Sequence, residues 1–122
     1  VSCPISRTWS CDSVLPAGWA AELPVHRRST AETTVVTGVV PVQGGRTQVV
    51  APGHELTQGS EVRISGVTGT HWDTLNTDGL TVVTVTGNSF EVDHDLGSDT
   101  SPQDLDTSNA AVHYTWYCVN TV

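Results

Sequence analysis

The histidines are the residues of this chain best suited to acid–base or metal chemistry, and their spacing argues against both. His26, His54, His71, His94 and His113 are dispersed along the sequence and form no ligand pattern of the kind that zinc sites use. We expect His54 to order a turn through hydrogen bonds and His113 to alternate with the inward residues of a strand. The sequence therefore predicts no metal site at the histidines.

Nucleophilic catalysis is equally poorly supported. Ser60, Ser65 and Ser89 lie in no G-x-S-x-G turn, which is the usual setting of a serine nucleophile in an α/β-hydrolase. "GVTGTHWD" places His71 beside Trp72 and Asp73, but adjacent residues on a strand point to opposite faces, so catalytic cooperation would require a loop. We predict that the protein is not an enzyme and uses no cofactor.

An acidic segment between two predicted strands, "DHDLGSDTSPQDLDTSN" (93–109), contains five aspartates. Carboxylate oxygens are the ligands that Ca²⁺ prefers, so a calcium site is one interpretation. The spacing does not fit an EF-hand loop, which requires acids at alternate positions, a central glycine and a closing glutamate. The favoured interpretation is a solvated loop.

Composition sets the fold class and excludes two kinds of partner. The chain has 122 residues, no lysine, and 19 valines and 18 threonines, β-branched residues that favour strands. A formal net charge of −8 would repel a phosphate backbone, so we predict no nucleic-acid partner. No apolar run approaches the roughly 20 residues needed to cross a bilayer, which predicts no membrane partner.

Period-2 patterns and turn residues predict an all-β domain over residues 33–122. We expect a small antiparallel barrel or sandwich of about six strands, with a hairpin at Gly44-Gly45 and a bulge where the apolar pattern changes face at Val83. On the last strand, one face carries Val112, Tyr114, Trp116 and Cys118. The predicted strands are 33–40, 45–51, 61–67, 79–86, 89–94 and 110–120.

Residues 1–32 have a different composition and predict an irregular N-terminal arm, with a short helical turn over 17–23. The arm contains three prolines, three of the five arginines and two tryptophans, Trp9 and Trp19. Exposed tryptophans are costly in a free monomer, so they either fold back on the domain or dock on a neighbour. Cys3 and Cys11 could close a small loop, which would leave Cys118 as a free thiol.

The segment "GHELTQGSEVRISGVTG", continued by "DTLNTDGLTVVTVTGNSFEVD", resembles a β-module that recurs in bacteriophage virion proteins. A similar pattern is known in ubiquitin-activating enzymes, although nothing here suggests their chemistry. Departures fall at Glu55, Ser60 and Thr77, where the pattern usually has Gly, Asp and Gly. In this family the pattern is a folding signature: its glycines permit positive φ and its apolar residues fill a core. The matching positions are His54, Leu56, Gly59, Val62, Ile64, Gly66, Val67, Gly69, Leu75, Asn76, Val82, Val83, Val85, Phe90 and Val92.

The resemblance implies a structural protein of the virion, and we predict a capsid decoration or cement protein that contacts the major capsid protein. A tail, neck, baseplate or fibre component is the alternative within the same class. The last strand also carries Tyr117 and Val119 on its second face, so we predict a homotrimer or homodimer with this strand in or near the contact. The predicted interface residues are Trp9, Trp19, Trp116, Tyr117 and Val119.

A second hypothesis comes from a different class of protein, the glycan-binding modules. Trp72 lies near a predicted loop tip with Asp73 and Asn76 close by, and an exposed aromatic ring can pack on a sugar while acids and amides bind its hydroxyls. The alternative is that Trp72 caps the end of the barrel.

Overall fold

The computed structural model describes residues 8–19, 27–97 and 100–121. It confirms the all-β class, with eight strands rather than six and, among these residues, no helix longer than the 3₁₀ turn Trp72–Leu75. A second 3₁₀ turn spans Pro102–Asp104. The strands are β1 (Thr8–Asp12), β2 (Arg27–Val35), β3 (Gly38–Val42), β4 (Arg46–Val50), β5 (Glu61–Ser65), β6 (Leu80–Val85), β7 (Ser89–Val92) and β8 (Ala111–Thr121).

The strands form one antiparallel sheet in the order β1-β8-β5-β6-β7-β4-β3, and β2 pairs with the remaining edge of β8. β8 is the longest strand and organises this arrangement. Along one edge it pairs with β2 over residues 111–119; along the other it pairs with β5 over 111–113 and with β1 over 117–121. We call residues 8–12, 27–31 and 115–121, where β1, β8 and β2 lie side by side, the ribbon.

The predicted strand 33–40 is broken in the structure. Its first part belongs to β2, and its last part belongs to β3, which pairs with β4. Between them, the Val36 amide donates to the carbonyl of Ala110 and the Thr37 amide to that of Val50. The chain thus passes from the β8 side of the sheet to the β4 side while keeping its backbone groups bonded, as buried backbone requires.

The hydrophobic core is formed by inward residues of strands β3 to β8 and by residues of the loops next to them. Alternation in β5 buries Val62 and Ile64, and β7 buries Phe90 and Val92, as predicted. The register of β6 on β7 shifts between Val82 and Thr84, which confirms the bulge expected at Val83. The hairpin at Gly44-Gly45 is also confirmed, since it connects β3 to β4.

The irregular arm predicted for residues 1–32 is wrong for 8–12 and 27–32, whereas the described residues 13–19 form no strand. Residues 8–12 form β1 and residues 27–32 form most of β2, both paired with β8. β2 was concealed because its apolar and polar residues do not alternate, and β1 because its alternation covers only five residues in a proline-containing segment. Of the helical turn predicted over 17–23, only 17–19 is described, where the Trp19 amide donates to the carbonyl of Pro16.

The structure pairs Cys11 with a different cysteine from the one that the sequence offered as a possible partner. Cys11 and Cys118 form a disulfide across a sequence separation of 107 residues. They are direct register partners on β1 and β8, so strand pairing brings them together regardless of sequence distance. Cys118 is therefore no free thiol, and Cys3 lies outside the described residues.

Candidate functional site

The predicted interface residues gather on the ribbon but divide between its two faces. Tyr117 and Val119 point to one face, which we call the outer face, and the β8 residues that alternate with them point to the other. Trp19 packs on the outer face, with its ring centre 5.4 Å from that of Tyr117 in a T-shaped contact. Trp19 therefore folds back on its own chain, which is one of the two predicted outcomes.

A cation holds Trp19 in this position. The guanidinium of Arg27 lies 5.6 Å from the Trp19 ring centre and also donates a 2.8 Å hydrogen bond to the Trp19 carbonyl. A cation over an indole ring is an attractive contact because the ring face is electron-rich. The first residue of β2 thus fixes the loop that follows β1.

The opposite face of the ribbon carries a second tryptophan–arginine contact. Trp9 lies under the guanidinium of Arg28, 4.4 Å from ring centre to cation. Trp116, on the same face, is partly buried against the core and makes a T-shaped contact with Tyr114 at 6.1 Å. Each arginine at the start of β2 therefore stacks on one tryptophan, on opposite faces of the ribbon.

The outer face is covered in part by the protein's own residues 14–19, which reduces the apolar area left for a second subunit. A surface cavity of about 400 Å³ remains between this segment and β8, and its lining includes Leu15, Pro16, Tyr117 and Val119. Leu15 is 56% exposed. Residues 14–19 thus leave an exposed leucine beside an apolar cavity on the outer face, and such surfaces commonly form protein contacts.

A buried cluster of hydroxyl groups fastens β1 to the turn before β5. The hydroxyl of Ser13, which is almost fully buried, lies 2.6 Å from that of Ser60 and accepts a 3.2 Å bond from the Thr57 amide. Ser60 also donates to the carbonyl of Thr57. Ser60 is one of the departures from the phage pattern, and here its small side chain leaves room for the incoming Ser13.

The glycan hypothesis is not supported by the placement of its residues. Trp72 is 1% exposed and its indole N–H donates to the carbonyl of Ser101, so the ring cannot stack on a sugar. The Asn76 amide bonds both backbone groups of Val67 and thereby orders a turn. Asp73 is exposed, but the buried ring of Trp72 leaves no aromatic surface beside it for a sugar. Trp72 is a core residue at the end of the sheet, the alternative named above.

His54 orders its turn, as predicted. One ring nitrogen, Nδ1, accepts a hydrogen bond from the Leu56 amide at 3.2 Å, and Nε2 lies 2.9 Å from the carbonyl of Ser89. A carbonyl only accepts, so Nε2 carries the proton and the buried ring serves as a bridge between two loops.

Sequence reasoning missed one pair of chemically suitable residues, Ser65 and His113. The Ser65 hydroxyl lies 2.7 Å from Nε2 of His113, a distance compatible with a nucleophile and its base. The other ring nitrogen faces the hydroxyl of Thr33 at 3.1 Å rather than a carboxylate. Burial, and then the charge of Arg63, lower the pKa of His113. The pair was hidden because β5 and β8 become neighbours only through the sheet.

A catalytic triad has a carboxylate at the second ring nitrogen of its histidine, and here Thr33 occupies that position. A threonine hydroxyl stabilises an imidazolium far less than a buried aspartate does, so the pair lacks the third group of a triad. His113 borders a groove of about 380 Å³ between β2 and β5, whose lining also includes Glu61, Arg63 and Asp78. Arg63 and Asp78 form an exposed ion pair at 3.5 Å. The contacts of Ser65 and His113 are those of a bridge between strands.

The acidic segment uses its described carboxylates to order turns. Asp95 accepts from the Gly97 amide, Asp104 from the Thr70 amide and Asp106 from the Ser108 amide. The hydrogen bonds from the backbone and then the side chain of Ser108 lower the pKa of Asp106. In the part of the chain that the structure describes, no three His, Cys, Asp or Glu residues are grouped to hold a metal ion, and no helix is long and apolar enough to cross a membrane.

Comparison with protein-family models, with curated proteins and with solved structures gave no match to this chain.

Proposed function

We propose that this protein is a non-enzymatic structural component of a bacteriophage particle, and that it decorates the capsid shell as a cement protein bound to the major capsid protein. The observation that carries the proposal is the resemblance of residues 54–92 to a β-module of phage virion proteins. Its apolar positions serve packing: the buried ones include Leu56, Val62, Ile64, Val67, Leu75, Val82, Phe90 and Val92. A module whose apolar positions mostly fill the core suits a structural role.

The disulfide adds independent support. Disulfides persist in oxidising surroundings, among them the surfaces of virions, and are rare in proteins that stay in the cytosol. The Cys11–Cys118 bond joins the two ends of the described chain and so restricts the unfolded state strongly. Such a bond is useful to a protein that must survive outside the cell.

The contact with the shell is proposed to use the outer face of the ribbon around Leu15. This surface combines an exposed leucine, an aromatic residue in Tyr117 and a shallow cavity. Interface centres are enriched in such apolar and aromatic groups, with polar residues around them. The net charge of −8 keeps the free protein soluble until many copies are displayed on the lattice.

Counting copies per particle tests the proposal. Quantitative mass spectrometry of virions from the phage that encodes the chain should give hundreds of copies, in a fixed ratio to the major capsid protein. A few copies or some dozens would instead favour the tail, neck, baseplate or fibre. Absence from washed particles would overturn the virion role.

Point substitution tests the surface. Deleting the first 30 residues would remove β1 and Cys11, so Leu15→Asp is the sharper change. We expect it to reduce occupancy of particles strongly while the fold is kept, because it places a charge at the contact. Val40→Asp, at a residue of β3 that is 48% exposed, is the matched control. Equal loss of binding in both variants would contradict this assignment.

A further inference from the structure

Three strands of the sheet have a single ladder partner among the described residues: β1, β2 and β3. β1 and β3 have five residues each, and β3 contains Pro41, which has no N–H to offer a further strand. Short length and proline are two of the devices that protect sheet edges from pairing with other chains. β1 and β3 are therefore poor templates for another strand.

β2 lacks this protection. It has nine residues, "RRSTAETTV", with neither proline nor lysine, and residues 28–33 are exposed. Threonine and valine fit an extended strand, and a long exposed edge presents a row of unpaired backbone groups to any matching strand. The partner that fits this edge can be identified from its charges.

Arg28 and Glu32 lie on the same face of β2, since their register partners are Cys118 and Tyr114, four residues apart on β8. Along β2, Arg28 and Glu32 are each two residues away from Thr30. If a second β2 pairs antiparallel about a twofold axis at Thr30, Arg28 of each copy stands directly opposite Glu32 of the other. Opposite charges at such cross-strand positions stabilise a pair of strands.

We propose that the protein forms a homodimer through antiparallel pairing of β2 with β2 of a second copy, centred on Thr30. Residues 27–33 of one copy then pair with residues 33–27 of the other, and the two sheets become continuous. The contact is isologous, as in most homodimers. Both edges of β8 are already paired, with β2 on one side and with β1 and β5 on the other. In this dimer β8 therefore lies one strand away from the contact and does not form it directly.

The register is specific. A centre at Ala31 places Arg28 opposite Thr34 and Glu32 opposite Thr30, and a centre at Ser29 likewise removes both Arg–Glu pairs. Only the Thr30 centre satisfies both charges in both copies. In this dimer Arg28 has two partners, the ring of Trp9 in its own chain and the carboxylate of Glu32 in the second copy.

Sedimentation equilibrium of the purified, oxidised protein over a concentration series tests the dimer. We expect the wild type to self-associate, with Glu32→Arg weakening association on the order of tenfold or more because two attractive pairs become two repulsive ones. Arg28→Glu should have the same effect. The double variant Arg28→Glu with Glu32→Arg restores both pairs in exchanged positions and should recover dimerisation.

Glu55→Arg is the matched control, since Glu55 is an exposed glutamate outside β2 and the change in net charge is the same. It should leave association unchanged. A wild type that remains monomeric throughout the series would overturn the proposal. So would Glu32→Arg dimerising as well as Glu55→Arg, or a double variant no better than the single ones.

The measurement uses the free protein without particles, so its failure leaves the proposed virion role untouched. A monomer in solution whose attachment to particles is lost in Glu32→Arg would assign the β2 edge to a strand of another virion protein instead. Hydrogen exchange of the wild type provides a second measurement, which does not depend on charge substitutions. Amides of residues 27–33 should gain protection as the protein concentration rises, and those of β3 should not.

Discussion

Residues 54–92 and the ribbon are built by different means. In the first region, turns and strands follow one another along the chain, and most buried strand residues follow a local pattern of alternation between glycine turns. In the ribbon, β1 and β2 pair with β8 across most of the sequence. A local pattern can therefore specify most of a core, while a peripheral layer depends on specific distant contacts.

Those distant contacts are of three kinds. The disulfide joins β1 to β8, the Ser13–Ser60 hydroxyl contact joins the end of β1 to the turn before β5, and two arginine–tryptophan stacks join β2 to the neighbouring segments. Each of them is a contact between side chains. The local region, in contrast, contains single positions that accept no side chain.

Gly66→Ala should give the largest loss of stability. Gly66 has a φ of +77°, and a methyl group there would collide with the Asn109 carbonyl, whose backbone cannot move freely. We expect a loss of about 4 kcal/mol or more in the free energy of unfolding, in the range of severe core changes. Urea unfolding followed by circular dichroism measures it.

Gly79→Ala separates collision from backbone strain. Gly79 has a similar φ of +73° but open space around it, so only the strain remains, about 1 kcal/mol. Equal losses in the two variants would show that the close approach at Gly66 contributes nothing.

Cys11→Ser should have the next largest effect. Loss of a bond that closes a loop of this size costs about 2–4 kcal/mol, mainly by releasing the unfolded chain. The core should nevertheless remain folded, because β1 contributes no residue to the hydrophobic core cluster. Near-ultraviolet circular dichroism reports whether the core is folded, and thermal unfolding reports the loss of stability. Cys3→Ser is the control. A Cys3→Ser variant as unstable as Cys11→Ser would contradict the pairing.

This comparison also explains what could be predicted from the sequence. Strands β5 and β7 and the bulge at Val83 were predictable because alternation and glycine turns act over a few residues. The Cys11–Cys118 pair, the strand character of 27–32 and the Ser65–His113 contact were not, because each depends on which strands β8 joins. For Trp72 the sequence left two alternatives, an exposed ring at a loop tip or a buried ring at the end of the sheet. The burial that decides between them involves a contact with Ser101, which is distant in sequence.

A double-mutant cycle on Ser13 and Ser60 measures the strength of the connection between the two regions. Ser13→Ala removes a buried hydroxyl bond and should cost about 1 kcal/mol. Ser60→Ala should cost more, since Ser60 also bonds the Thr57 carbonyl. The double variant should be less destabilised than the sum of the two, because both lose one shared contact. Strict additivity would show that the hydroxyls do not interact.

The smallest expected effect is the pH dependence contributed by His113, which lies where β8 serves both regions. Its neighbours Thr33, Ser65 and Arg63 offer no negative charge, and burial followed by Arg63 lowers its pKa below the ordinary 6.5. The unfolded chain therefore takes up this proton more readily than the folded protein. The stability contributed by neutral His113 is complete above pH 6.5 and is lost as the pH falls below that value.

His113→Gln removes this titration while keeping a side chain that can bond Ser65 and Thr33. The wild type should lose stability relative to the variant between pH 7 and pH 5, and the difference between them should be nearly constant above pH 7. Chemical unfolding at each pH measures the difference, and His71→Gln, an exposed histidine outside this contact, provides the baseline. If the wild type instead gained stability on acidification relative to His113→Gln, the ring would be binding a proton in the folded state, and an acidic group would have to lie closer to it than Arg63 does.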